Sequence, residues 1–459
     1  MLEPKVWQLT AGSVVVGLTL AAVAVAAAGP WDSGQRKAER EWAVAQSRTG
    51  GADHGATGSR TPAPAPSAAG VLSALGASVA GPADLKEKLG PLLDDPALGR
   101  TRTASVVDVA TGERLYGRGE GTAMTPASTV KIATMAAALS ALGPDHRIAT
   151  TVVATPDGRR LTLVGGGDAT LDRSGLRALA DDTARALRDR GVTTVAVGYD
   201  ISLYSGPRDH PIGANDNIAP VTALMAGQSR LDKSTSGPAP RGGDPAGAAA
   251  QAFVALLGDR GIKTSAAPAA GKPAKGSKPL ARTFSKPLSA LVERALTESD
   301  NDIAESLARQ TAIAAGEPAS FAGAGRAVSA QLKKLELPVN GARFADGSGL
   351  NRQDRVSASL LTALLTRAAD PAHPELRPVL TGLPVAGFSG TLQSRYADAA
   401  PAAGLVRAKT GTLTGVNTLA GTVVDGEGRL LAFAFMAGST PAPEAAQHAL
   451  DRLSAALVP

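Results

Sequence analysis

The chain has no cysteine in its 459 residues. That removes disulfides, thiol nucleophiles and Cys-type zinc sites together. Aromatic residues are scarce too, at 3%, which argues against base-stacking platforms for nucleic acid. A formal charge of +6 pulls the other way, but the lysines and arginines are scattered along the chain rather than clustered, so no nucleic-acid partner is expected. The basic balance equally suits an anionic cell envelope. Five histidines (His54, His146, His210, His373 and His448) stand far apart, none in an H-E-x-x-H or H-x-H pattern, and no metal site is expected. Gly165-Gly166-Gly167 lacks the G-x-G-x-x-G spacing of a dinucleotide loop. No cofactor is expected. The absence of G-x-S-x-G argues against a Ser-His-Asp hydrolase of the nucleophile-elbow type.

What is present begins with an uncharged apolar run, Leu9 to Gly29, preceded by Lys5. Its length approaches a membrane span, while Ala26-Ala27-Ala28 suits a secretory cleavage site. Residues 1–31 are therefore expected to be a membrane anchor or a signal peptide. Either address makes the rest of the chain extracytoplasmic, although Arg36, Lys37 and Arg40 weakly oppose that orientation. Residues 32–82 are rich in Ala, Gly, Pro, Ser and Thr around Thr61-Pro62-Ala63-Pro64-Ala65-Pro66, too polar and too broken to bury a core. A disordered linker is expected there.

From Asp84 onward the pattern is globular. A short helix at Asp84–Leu93 precedes two strands, Thr103–Asp108 and Arg114–Gly117, separated by the turn Ala110-Thr111-Gly112. Ala127–Leu142 is an Ala-rich helix. Residues 146–282 change character: strand runs at Ile148–Val153, Arg160–Val164 and Thr193–Gly198, helices at Arg173–Arg190 and Pro245–Arg260, then a mobile loop at Ala266–Leu280. This region is expected to be a smaller mixed domain inserted between 83–145 and 283–459. Helices resume at Pro287–Thr297, Asp302–Ala315 and Gly323–Leu335. Strands at Leu405–Lys409, Thr418–Val424 and Leu430–Phe435 and a helix at Pro443–Leu457 close the chain. The fold class is α/β: an antiparallel sheet flanked by helices, with Ser128 at its edge.

Chemistry concentrates in three short segments. Ser128-Thr129-Val130-Lys131 opens the Ala-rich helix. Residues three apart on a helix are neighbours, so Lys131 can serve as base for the Ser128 hydroxyl. An ammonium cannot accept a proton, which requires burial or a second cation to lower the lysine pKa. Taken alone, the tetrad equally fits an N-cap serine with a solvated lysine. Ser299-Asp300-Asn301 lies between two helices, however, and Lys409-Thr410-Gly411-Thr412 ends a strand run.

Those three segments in that order resemble the serine penicillin-recognising enzymes, whose signatures are S-x-x-K, S-D-N and K-T-G. The resemblance runs from about Leu85 to the C-terminus. Ser299 offers a hydroxyl to relay a proton to the leaving amine, and Asn301 an amide to bond Lys131 and the substrate backbone. Lys409 adds a cation that would depress the Lys131 pKa and attract a carboxylate. Thr410 and Thr412 can bond that carboxylate, and Gly411 lets substrate approach as an added strand. The resemblance further implies an oxyanion hole made by the backbone N–H groups of Ser128 and Thr412.

Ser128 and Ser299 are 171 positions apart, more than a compact β-lactamase-like domain needs. That gap and four further segments are similar to the D-Ala-D-Ala carboxypeptidase/endopeptidase group known as penicillin-binding protein 4, peptidase family S13. The segments are 165–171, 219–224, 346–352 and 383–387 with Gly390-Thr391-Leu392. The resemblance implies acyl transfer through Ser128 on peptidoglycan stem peptides, and acylation by β-lactam antibiotics. It also associates Asp168 and Arg352 with the charged side chain of the stem peptide, although Ala169 and Asn351 depart from the usual proline and serine. The local alternative is that Asp168 caps a turn and Arg352 pairs with Asp346 or Asp354. A β-lactamase or esterase of the same fold, and a catalytically silent wall-binding protein, are the rival readings.

Overall fold

The computed structural model describes residues 82–458. The expected anchor or signal at 1–31 and the expected linker lie outside the described residues, except for Pro82. No helix among the described residues is long and apolar enough to cross a membrane.

Helix α1 (Pro82–Leu93) leads into β1 (Thr101–Asp108) and β2 (Arg114–Arg118). A 3-10 turn at Ala127–Thr129 runs into α2 (Val130–Leu142). Then come β3 (Ala149–Ala154), β4 (Arg160–Val164), α3 (Arg173–Arg188), β5 (Thr194–Asp200), α4 (Pro245–Gly258), β6 (Lys263–Thr264), β7 (Ala269–Ala270) and β8 (Lys278–Phe284). Helices α5 (Leu288–Thr297), α6 (Asn301–Ala314), α7 (Phe321–Lys334), α8 (Ala358–Ala369) and the short α9 (Pro378–Thr381) follow. Strands β9 (Arg407–Leu413), β10 (Val416–Val424) and β11 (Leu430–Gly438) and helix α10 (Pro443–Ala455) complete the chain.

Two sheets result. The first is five-stranded in the order β2-β1-β11-β10-β9, antiparallel throughout. Alternation along β11 explains why both its faces are covered. Leu431, Phe433, Phe435 and Ala437 join one apolar core with α1 and α10. Ala432, Ala434 and Met436 face the other, with α2, α5 and α8. The small residues on this second face leave room for α2, itself almost wholly buried, to lie close to the strands. Phe433 and Phe435 stack with their ring centroids 5.3 Å apart.

The second sheet runs β6-β5-β4-β3-β8, with β7 also beside β5. It is mixed, since β4, β5 and β6 are parallel while β3 is antiparallel to both its neighbours. Val152, Leu161, Leu163, Val195 and Val197 pack one face against α3 and α4. All these elements belong to one compact unit.

Three expectations need correction. The loop at 266–280 is not wholly irregular: β7 forms within it beside β5, and β8 begins at Lys278 because β3 offers an edge to pair with. Helix α8 goes beyond the expected elements; it is capped by Ser357, whose hydroxyl takes the Leu360 N–H at 3.1 Å. Lys409 does not end its strand but sits third in β9, since pairing with β10 continues to Leu413↔Val416.

Candidate active site

Three elements meet at one edge of the first sheet. The turn at 127–129 packs against β9, and Gly411 permits that approach: a Cβ there would fall 2.1 Å from Thr418 Oγ1 and 2.7 Å from the Pro126 carbonyl oxygen. Thr418 and Thr129 both donate their hydroxyls to that carbonyl, each at 2.7 Å. The residue before Ser128, Ala127, is held at φ 48°, in the left-handed region. Ser128 is thereby presented at the helix start, with Lys131 one turn on.

Lys131 is fully buried. Its Nζ donates to Ser128 Oγ at 3.0 Å, to Asn301 Oδ1 at 2.7 Å and to the Ser348 carbonyl at 2.6 Å. Burial lowers its pKa from 10.5 to about 8, against the pull of nearby acids, Asp346 first and then Asp300 and Glu305. Lys409, also fully buried, donates to Ser299 Oγ at 2.9 Å and to the Thr410 carbonyl at 2.8 Å. Burial, then repulsion from Lys131, holds its pKa well below the ordinary value. The principal cause of the Lys131 shift is thus desolvation, and the repulsion between the two lysines is expressed at Lys409.

Ser299 sits at φ 57° between α5 and α6, a left-handed residue that turns its hydroxyl back towards β9. Asp300 caps α6 by accepting the Ile303 N–H at 3.0 Å. Asn301, the first residue of α6, donates from Nδ2 to the Asn217 carbonyl at 2.9 Å. The amide is thereby oriented with its oxygen on Lys131.

Strand β9 is the sheet edge. Ala408 donates its N–H outward to the Pro384 carbonyl. N–H groups alternate along an antiparallel strand, so those of Thr410 and Thr412 also point away from β10. Ser128, Ser299, Asn301, Thr410 and Thr412 all line one cavity of about 410 Å³. The arrangement can support acyl transfer: a hydroxyl beside a buried amine of lowered pKa, a second hydroxyl bonded to a second lysine, and outward N–H groups near the first.

The segment 201–242 holds the Ser299–Asn301 turn from outside. Gln228 Nε2 donates to Asp300 Oδ2 at 2.5 Å, the Ala219 N–H to Asp302 Oδ1 at 3.0 Å, and Arg241 pairs with Asp302 Oδ2 at 2.8 Å. Burial and the neighbouring Asp300 raise the Asp302 pKa to about 6. Arg230 and Arg241 also line the cavity. Sequence reasoning missed both, because irregular chain carries no periodicity to mark them. It also missed the role of Thr391, whose hydroxyl accepts that of Thr410 at 2.8 Å, although the segment containing it was recognisable.

Asp168 and Arg352 are not brought to this cavity. Asp168 Oδ1 accepts the Thr170 N–H at 2.7 Å and hydroxyl at 2.6 Å, the turn-capping arrangement, and burial raises its pKa. It lines a second cavity of about 670 Å³ with Arg294 and Glu298, and Glu298 lines both cavities. Arg352 Nη2 donates to the Thr414 carbonyl at 2.9 Å and pairs with neither Asp346 nor Asp354. His210, Glu305 and Asp346 bring possible ligand atoms within 4.8 Å of one another. Their atoms are engaged in hydrogen bonds, with Asp346 Oδ2 on His210 Nε2 and Glu305 Oε2 on Arg309, so the donor set does not read as an open metal site.

An antiparallel five-stranded sheet with helices on both faces, a Ser-Lys pair at a helix start and a lysine on the edge strand define the penicillin-binding-protein class of fold. The crystal structure of penicillin binding protein 4 from Haemophilus influenzae superposes with a TM-score of 0.67 at 22% identity, covering 81% of this chain and 97% of that one. Residues 85–242 and 239–457 match the D-Ala-D-Ala carboxypeptidase 3 (S13) family, and the chain belongs to that family. Carboxypeptidase DacB of Mycolicibacterium smegmatis is 36% identical over 476 residues, covering 99% of this chain and 98% of its own length. A carboxypeptidase of Mycobacterium tuberculosis is 38% identical over 411 residues, covering 85% and 84%.

Proposed function

We propose that this chain is a serine-type D-Ala-D-Ala carboxypeptidase that trims peptidoglycan stem peptides outside the cytoplasm. The observation that carries the reading is the 3.0 Å contact between Ser128 Oγ and Lys131 Nζ in a site where burial brings the lysine pKa to about 8. In the neutral form Lys131 takes the Ser128 proton as Oγ attacks the carbonyl of the penultimate D-Ala. The oxyanion is met by the N–H groups of Ser128 and Thr412. The C–N bond then breaks, and the proton held by Lys131 returns to the leaving amine through the Ser299 hydroxyl. Water hydrolyses the ester and frees Ser128. Lys409, Thr410 and Thr412 receive the terminal carboxylate, and Gly411 keeps β9 flat against the turn that bears the nucleophile.

Cleavage of a cross-link is the same acyl transfer with a larger leaving amine. A β-lactam offers the same carbonyl in a ring, so its amine stays tethered and the ester persists. Labelling of the purified chain with a fluorescent penicillin, together with D-Ala release from a pentapeptide, tests the reading. Label retained in Ser128→Ala would end it. Export through residues 1–31, with anchoring or cleavage, follows from where the substrate lies; N-terminal sequencing of the mature protein distinguishes the two.

A further inference from the structure

The proposed mechanism leaves a group of buried ionisable side chains without a task. His210 comes from the segment between β5 and α4, Glu305 and Arg309 from α6, and Asp346 and Asp354 from the segment between α7 and α8. All five are buried. They surround residues 345–351, the loop whose Ser348 carbonyl accepts from Lys131 at 2.6 Å.

Six backbone N–H groups of that loop end on three carboxyl groups. Those of Ala345 and Asp346 go to Asp354 Oδ1, at 2.6 and 3.3 Å. Those of Gly347 and Ser348 go to Glu305 Oε1, both at 2.9 Å. Those of Gly349 and Asn351 go to Asp346, at 2.6 and 2.8 Å. Ser348 adds its hydroxyl to Asp346 Oδ2 at 3.0 Å. A loop bound this way has little freedom left, and the position of the Ser348 carbonyl is set by the carboxyl groups behind it.

His210 fixes the central carboxylate. Its Nδ1 accepts the Ile212 N–H at 3.3 Å, which assigns the ring proton to Nε2. Nε2 donates to Asp346 Oδ2 at 2.8 Å, and the ring edge packs on Phe321 with centroids 5.4 Å apart. A second proton on Nδ1 would face a backbone N–H. Nε2 is therefore the donating nitrogen. Asp354 Oδ2 is buried and faces no N–H or hydroxyl donor, the arrangement of a protonated acid. Burial and the Asp346 charge push its pKa up to about 10, and its proton is shared with Asp346. Arg309 neutralises Glu305 at 3.0 Å.

We propose that His210, Asp346 and Asp354 form a positioning device for Lys131: the histidine and the neutral acid clamp one carboxylate, which sets the Ser348 carbonyl and supplies a negative charge near the ammonium. This rests on the reading of Lys131 as the base for Ser128. The groups around Lys131 are the charged Asp346, Asp300, Glu305 and Lys409 and the neutral Asp354, and Asp346 exerts the largest pull among the acids. Asp300 is itself engaged by Gln228, with Arg294 at 3.6 Å. His210, a residue of the inserted segment, is thereby a positioning residue for a base that it does not touch.

The test is the pH dependence of acylation of the full chain by a fluorescent penicillin. Asp346→Asn removes the charge, and the midpoint of the rising limb is expected to move down by about one pH unit. Asp354→Asn replaces a neutral acid by a neutral amide and is expected to leave the midpoint in place. His210→Gln keeps a donor for Asp346 and an acceptor for Ile212 and is expected to stay within about twofold of the wild-type rate. His210→Leu keeps neither, and loss of positioning is expected to cost about ten- to a hundredfold in maximal rate with little change in penicillin affinity. A limb that moves equally in Asp354→Asn and Asp346→Asn overturns the proposal, as does wild-type acylation in a folded His210→Leu. If His210→Leu does not fold, the comparison of the two asparagine variants still decides. Wild-type chain that fails to label at Ser128 refutes the parent reading instead, so the two failures are distinguishable.

Discussion

Lys131 makes the acylation chemistry strongly pH-dependent, and the size of the effect follows from its burial. With a pKa of about 8, roughly one molecule in eleven holds a neutral amine at pH 7. An ordinary lysine would give about one in three thousand, so burial raises the supply of competent base about three-hundredfold. Below the midpoint the acylation rate should fall about tenfold per pH unit, leaving about one-fiftieth of the pH 8 rate at pH 6. Above about pH 9 it should level off.

The same shift bears on stability, because the folded-state pKa lies below the unfolded one. The protonated lysine is disfavoured in the native state, a penalty of about 3 kcal/mol that is full below pH 8 and disappears by about pH 10.5. Stability from this group is therefore lost as pH falls through about 8. The assay is the initial rate of labelling by a fluorescent penicillin, at concentrations far below saturation, between about pH 6 and pH 9.5. Lys131→Arg, which cannot deprotonate, should abolish the limb with the rate. A flat profile in the wild type, or the same limb in Lys131→Arg, refutes the argument.

Further expectations concern the scaffold. Gly411→Ala forces a methyl against Thr418 and the Pro126 carbonyl; overpacking should cost about 1–3 kcal/mol, seen in a thermal melt, and labelling should drop about a hundredfold as the turn leaves β9. Arg241→Ala strands the buried Asp302 carboxylate, at a cost of about 3–5 kcal/mol in urea unfolding at pH 8. Arg241 holds the Asp302 pKa down to about 6, so the variant protonates at higher pH and the cost should shrink as pH falls from 8 towards 6; a pH-independent loss would contradict the ion-pair account. Phe433→Ala removes the stacking partner of Phe435 and should destabilise by about 3–5 kcal/mol in chemical denaturation with the Lys131 pH limb unmoved.

Local rules found the parts of the site that are contiguous in sequence. Ser128 and Lys131 are neighbours because a helix makes them so, and Ser299-Asp300-Asn301 falls at a junction between two helices as expected, with the next helix starting one residue early because Asp300 caps it. Lys409 needed long-range pairing to be placed correctly: its alternating neighbours suggested a strand, but only β10 determines that the strand continues through Thr412. The Gln228, Arg241 and His210 contacts had no local signature. Each is a polar residue in irregular chain, and its partner stands 72, 61 or 136 positions away. Asp168 shows the opposite case, a residue in a recognisable segment whose Oδ1 bonds Thr170 two positions on and which lines a cavity other than that of Ser128.

The edge strand β9 carries a hazard along with its use. A bare sheet edge is an invitation to any extended chain, including a second copy of the same protein. Here Pro384 already occupies the beginning of the edge by accepting from Ala408, and Val385 bridges Arg407. The hairpin into β10 starts after Leu413. Only about two or three residues are left for a visitor, long enough to register a dipeptide terminus and too short to seed strand exchange between molecules. The open stretch that would suit a peptide terminus is thus too short to pair two copies edge to edge.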